Sequence, residues 1–143
     1  MKDKIAKNIN TLGRFCGKRD ISVLTPNELK VKYGLEQVDV MVLFGGSILT
    51  GGDVLAEAMK NGIAKKYVIV GGSGHTTETL RVKMHNEFSE IETNELPEAK
   101  VFASYLKYKY NLEPDFLECN STNCGNNITY LLDLLKENNV SFK

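Results

Sequence analysis

What the chain has little of narrows its class first. It carries no net charge, with Lys+Arg and Asp+Glu at 18 each in 143 residues, so no global excess steers it to nucleic acid or an acidic membrane surface. No apolar stretch approaches the roughly 20 residues that a bilayer-spanning helix needs. The opening MKDKIAKNIN spreads charges through its length and has no apolar h-region, which argues against a secretory signal peptide. The three cysteines, Cys16, Cys119 and Cys124, are odd in number and too sparse for a disulfide scaffold. They fit a reducing cytoplasm. There is no internal repeat, no low-complexity tract and no linker. A single cytoplasmic domain with an ordinary hydrophobic share is expected.

The pattern along the chain is helical first and alternating later. Ile5, Ile9, Leu12 and Phe15 or Cys16 recur at helical spacing. In LTPNEL, Thr25 suits an N-cap, Pro26 the first helical position and Glu28 the third, a capping-box arrangement. That short helix ends near Gly34. From about residue 37 apolar strands alternate with helices. DVMVLF (39–44), KYVIV (66–70) and DFLEC (115–119) read as strands. Helical spacing follows in 53–61, from Thr76 or Thr77 to about Met84, after Pro97, and in 125–137. Strands that are apolar throughout and alternate with helices imply a parallel sheet covered on both faces. The expected architecture is α/β: residues 1–36 a helical segment packing on the domain, residues 37–143 the sheet domain.

In such a sheet the loops after the strands share one edge. Here they are GGSILTGGD (45–53), GGSGHTTE (71–78) and NSTNCGNN (120–127), all built from short polar residues and glycine. The loops before the strands lack this character. Open α/β sheets bind ligands at the carboxyl ends of their strands. Gly45, Gly46, Gly72 and Gly74 would let backbone N–H groups approach a ligand, with Ser47 and Ser73 adding hydroxyls. Helix starts after the second and third loops would add partial positive charge. A phosphate, carboxylate or sugar phosphate suits that chemistry. Tight strand–helix packing alone also calls for glycine, but three such loops on one edge favour a site.

Established fingerprints do not fit. Gly72-Ser73-Gly74-His75-Thr76-Thr77 ends in Thr where a dinucleotide fingerprint needs Gly, and no GK[ST] follows either Gly pair. His75 could exchange protons near neutral pH or could only hydrogen-bond. His85 reads as surface. Cys124 stands before a helix, where the dipole would favour its thiolate, and a cysteine-dependent hydrolase using Cys124 and His75 is one alternative. Filling the turn is the plainer role for Cys124. Cys119 reads as core. Cys119, Cys124 and His75 lack the spacing of standard zinc sites and want a fourth ligand. Asp53 and Glu57, one turn apart, could orient a metal or ligand or simply favour the helix dipole.

VIVGGSGHTTE, NELPEAKVFASYL and CNSTNCGNN together resemble the YdcF-like family of bacterial proteins, a family of unknown function that takes in the SanA and ElyC envelope proteins. The likeness runs over about residues 38–136. It implies a Rossmann-like three-layer α/β/α fold and a polar pocket formed by Gly45, Gly46, Gly72, Gly74, His75, Thr76, Glu98, Ser121, Thr122, Asn123 and Asn127. It implies a small-molecule ligand of the S-adenosylmethionine type. In that pocket Glu98 would take a hydroxyl or amine and His75 would donate or shuttle a proton. Ser121, Thr122 and Asn123 would grip an oxyanion. Two departures stand out. The family usually has Gly-Glu-Asn where this chain has Gly125-Asn126-Asn127, and it continues with another strand where this chain reads NNVSFK. The expectation drawn from the second is that the chain is the N-terminal part of a longer domain and either dimerises through the unpaired edge or is a marginally stable fragment.

Overall fold

The computed structural model describes residues 2–17 and 20–143. Two helices come first, α1 (Lys2–Cys16) and α2 (Pro26–Tyr33). Then follow β1 (Val38–Phe44), α3 (Thr50–Asn61), β2 (Ala64–Val70), α4 (Thr77–Glu87), α5 (Glu98–Tyr110), β3 (Phe116–Glu118) and α6 (Cys124–Glu137). The strands form one sheet in the order β1-β2-β3 and both pairings are parallel. Met41 lies opposite Tyr67, and Ile69 opposite Leu117.

Side-chain alternation along the strands sorts the core into two faces. Met41, Leu43, Ile69 and Leu117 point to the side covered by α3, α4 and α5, where Leu55, Leu80, Met84, Phe102 and Tyr105 complete the larger cluster. Val40, Val42, Val68, Val70 and Phe116 point to the other side, where Leu131 and Leu135 of α6 cover them. The result is a Rossmann-like three-layer α/β/α fold. Because spatial order follows chain order, the helices of both crossovers share one face. Among the described helices only α6 covers the other.

Several boundaries differ from the sequence reading by one to three residues, those of β2 and β3 among them. The strand expected from Lys66 begins at Ala64. Lys65 and Lys66 look like loop residues because they are charged, but each reaches across to a neighbouring strand region, Lys65 to Asp39 and Lys66 to Asp115, both at 2.7 Å. The strand expected over 115–119 is only Phe116–Glu118. Asp115 instead accepts the Tyr67 N–H at 2.8 Å and so fastens the start of β3 to β2. Burial alone would raise the Asp115 carboxyl, but Lys66 and that N–H outweigh it and hold it below the usual range.

The α2 cap forms as expected: Thr25 Oγ1 accepts the Glu28 N–H, Pro26 opens the helix and Gly34 ends it in a left-handed conformation. The Glu28 carboxylate accepts from Ser22 Oγ at 2.9 Å instead of closing the box. Leu29 of α2 is buried in the larger cluster. The apolar stripe of α1 is not covered: Ile5, Ile9, Leu12 and Phe15 are 53–84% exposed. Met1, Lys18 and Arg19, and the side chain of Cys16, lie outside the described residues.

Candidate functional site

Parallel strands bring the three polar loops to one edge, and glycines let them close on one another. The Gly45 N–H donates to Val70 O at 2.7 Å, and the Gly71 N–H donates to Glu118 O at 3.0 Å, so each ladder runs one residue beyond its strand. The Gly72 N–H donates to Ser121 Oγ at 3.1 Å. A side chain at Gly72 would overlap the Ser121 carbonyl, and one at Gly45 would fall on the Glu98 carboxylate. These two positions must be glycine for the approach to occur.

Helix α5 is anchored directly to this edge. The Glu98 and Ala99 N–H groups, orphaned at the helix start, donate to Gly72 O at 2.9 Å and Gly71 O at 2.8 Å. That docking delivers the Glu98 side chain into the site, 8% exposed. One carboxylate oxygen accepts from Thr76 Oγ1 at 3.0 Å and Thr77 Oγ1 at 2.9 Å. The other lies against Gly45 and Gly71.

The β3–α6 loop is shaped from beneath by Glu118, which is 4% exposed. Its Oε1 accepts the Asn120 N–H at 2.6 Å and the Ser121 N–H at 3.1 Å. Asn123 caps α6 by accepting the Asn126 N–H at 3.0 Å, while its amide donates to Asn126 Oδ1 at 2.7 Å. Thr122 Oγ1 also donates to Asn126 Oδ1. Asn126 therefore braces the loop by accepting, where a carboxylate would have brought a charge. The N–H groups of Cys124 and Gly125, in the first turn of α6, have no intrahelical acceptor.

These segments enclose a cavity of about 130 Å³, lined by Gly45, Gly71, Gly72, Gly74, His75, Thr76, Glu98, Ser121, Thr122, Asn123, Cys124 and Asn127. Ten of the thirteen residues singled out from the sequence meet there. Gly46 and Ser47 line an adjoining apolar cavity instead. Ser73 is exposed at the loop tip and lines neither. The hydroxyl of Ser121, expected to grip an oxyanion, is buried and accepts from Gly72, so it joins two loops first. His75 is exposed at the rim, and Cys124 is exposed on the same cavity. No hydrogen bond joins them among the described residues. Glu98 is the one carboxylate on the lining, and no Lys or Arg shares it.

The remaining candidates fall elsewhere. His85 is exposed and lines a cleft of about 440 Å³ between α4 and residues 89–94. Cys119 is half-buried, and burial pushes its thiol up. Asp53 accepts from Tyr105, Tyr110 and Lys109 and thereby ties α3 to α5, while Glu57 is exposed beside it. Among the described residues no cluster of three or more His, Cys, Asp or Glu could hold a metal ion. No described helix is long and apolar enough to cross a membrane.

Gly71, Thr77 and Glu118 are contributors that sequence reasoning missed. The signal for Glu118 was available: a lone carboxylate at the end of an apolar strand, three residues before the serine whose N–H it holds. A scan of the chain against protein-family models matches no family. Fold and site define a Rossmann-like α/β protein with a polar cavity at the carboxyl edge of its sheet.

Proposed function

We propose that the chain binds a small anionic or nucleotide-like ligand in this cavity, through a head group that carries both an oxyanion and an amine or hydroxyl. The observation that supports this is the pairing of opposite demands within one small space. The α6 start offers free backbone N–H groups and a positive dipole end, which suit an oxyanion. Glu98, 8% exposed, offers a carboxylate whose Oε1 already accepts from Thr76 and Thr77, leaving Oε2 to take a ligand donor. With no Lys or Arg on the lining, a bare dianion beside Glu98 would be repelled, whereas a head group with a donor for Glu98 would not. S-adenosylmethionine, the ligand type implied by the resemblance to the YdcF-like family, carries such a head. In this reading the protein is a cytoplasmic transferase or hydrolase in which His75 donates or shuttles a proton, a role supported by its place on the cavity lining.

Two other readings compete. A non-enzymatic binding module would use the same contacts without turnover. A cysteine-dependent hydrolase would use Cys124, which is exposed on the cavity that His75 lines. Calorimetric titration with S-adenosylmethionine tests the binding reading, with Glu98→Gln and His75→Ala beside the native chain. Glu98→Gln is expected to weaken binding at least about tenfold, the range for a hydrogen bond to a charged group. Unchanged affinity in that variant would sink the proposal. With a substrate in hand, loss of rate greater than loss of affinity in His75→Ala would separate an enzyme from a module.

A further inference from the structure

We infer that the ligand site has a second, apolar compartment that seats a flat ring attached to the polar head. This rests on the polar cavity being a ligand site. That cavity, at about 130 Å³, is small against the roughly 300–1,000 Å³ of ordinary small-molecule sites. Beside it lies a second cavity of about 470 Å³ between β1 and the start of α3, and Gly45 lines both. Together the two fall within the ordinary range.

The second compartment has a different chemistry. No charged residue lines it. Its walls are Met41, Leu43, Val54, Leu55 and Phe102, and its only side-chain polar groups are the hydroxyls of Ser47 and Thr50. Neither hydroxyl has a hydrogen-bond partner among the described residues. At the rim Ile48 is 72% exposed, Val54 47% and Phe44 42%, so apolar groups face water at its mouth. Such a lining, apolar in its side chains and running along the edge of β1 that does not pair with β2, suits an apolar ring with a few polar edge atoms.

The passage between the compartments carries no side chains. Gly45 admits none without displacing Glu98, and Gly46, at φ 144°, sits in a conformation that favours glycine. The loop is also fixed before any ligand arrives. The Gly45 N–H is bonded to Val70 O, and Lys83 Nζ donates to Ser47 O at 3.0 Å. A ligand whose head contacts Glu98 and the α6 start can therefore pass its body over Gly45 into the apolar slot.

The test compares L-alanine with L-phenylalanine, which share one zwitterionic head, by calorimetry on the full chain. Phenylalanine is expected to bind at least about tenfold tighter, the lower bound for burying a phenyl group. In Val54→Trp, which fills the slot, the ratio of the two affinities is expected to fall to about one. Val54→Ser, a milder change at an exposed rim position, should lower the ratio in the same direction. Equal affinities in the native chain, or a ratio that survives Val54→Trp, would overturn the apolar compartment while leaving the polar site standing. A Val54→Trp chain that changes oligomeric state by light scattering and keeps its ratio would assign the slot to a second copy and overturn it too. If neither amino acid binds, or if both bind indifferently to Glu98→Gln, the polar site itself falls and takes this inference with it.

Discussion

Gly72 shows how little room the converging loops leave. Its Cα faces the backbone of Cys119 and Ser121, and a methyl there would meet backbone atoms that cannot rotate away. Gly72→Ala is expected to destabilise the chain by about 1–3 kcal/mol, the cost of overpacking a closed contact. Gly74→Ala, whose new methyl would meet only Thr122 O at ordinary contact distance, should stay within about 0.5 kcal/mol. Urea unfolding of the two variants checks the contrast, and equal losses would show that the Gly72 approach is not close in solution. At this scale much of the site was legible. Glycine-rich composition located the loops, since few other residues permit such approach. Glu98 was legible only through the resemblance, because nothing local says that a carboxylate at a helix start will be buried. Glu118 was not read at all: a single charge in a three-residue strand looks like the strand's end, and its two backbone partners follow only once the loop has folded back.

Between elements, one carboxylate adds a polar tie to the apolar packing of α3 on α5. Burial would raise Asp53, but hydrogen bonds from Tyr105 and Tyr110 and the Lys109 ammonium outweigh it and hold it below the usual range. A depressed carboxyl adds stability above its unfolded pKa, and that stability is lost as pH falls through its folded value. Tyr105 behaves oppositely. Burial, with the Asp53 carboxylate beside it, pushes its hydroxyl up to about 12. Its contribution is present below the unfolded value of about 10 and is lost as pH rises from there through about 12. The cluster thus supports the fold across the neutral range and fails at both ends. Asp53→Asn is expected to flatten the acid limb below about pH 4 and to bring the Tyr105 titration down from about 12. Thermal melts across pH and spectrophotometric tyrosine titration read the two limbs; unchanged curves would refute the role. The sequence suggested Asp53 as a dipole-friendly first-turn residue, which its place in α3 satisfies. Its partners lie 52–57 positions downstream, so no local pattern could announce them. The same limit explains β2, whose lysines make sense only beside Asp39 and Asp115.

At the scale of the whole molecule, the two helices before the sheet do not contribute alike. Both were legible as helices, one from its 3.6-residue stripe and one from its cap. The stripe of α1 states that one face is apolar, not what covers that face. In the folded chain Ile5, Ile9, Leu12 and Phe15 remain more than half exposed. Side chains that stay in water contribute little of the roughly 1.5–3 kcal/mol that burial of each would add. In α2, by contrast, Leu29 is 3% exposed and packs into the main cluster with Leu55 and Phe102. Removal of residues 1–19 is therefore expected to leave the thermal midpoint within about 2 °C, less than a 1 kcal/mol loss would move a chain of this size. Leu29→Ala, a single substitution in the shorter helix, should cost about 2–5 kcal/mol and lower the midpoint several times further. Differential scanning calorimetry of both variants decides the matter. A large drop on removing α1, with little change in Leu29→Ala, would mean that α1 is buried in solution and that α2 is the dispensable helix.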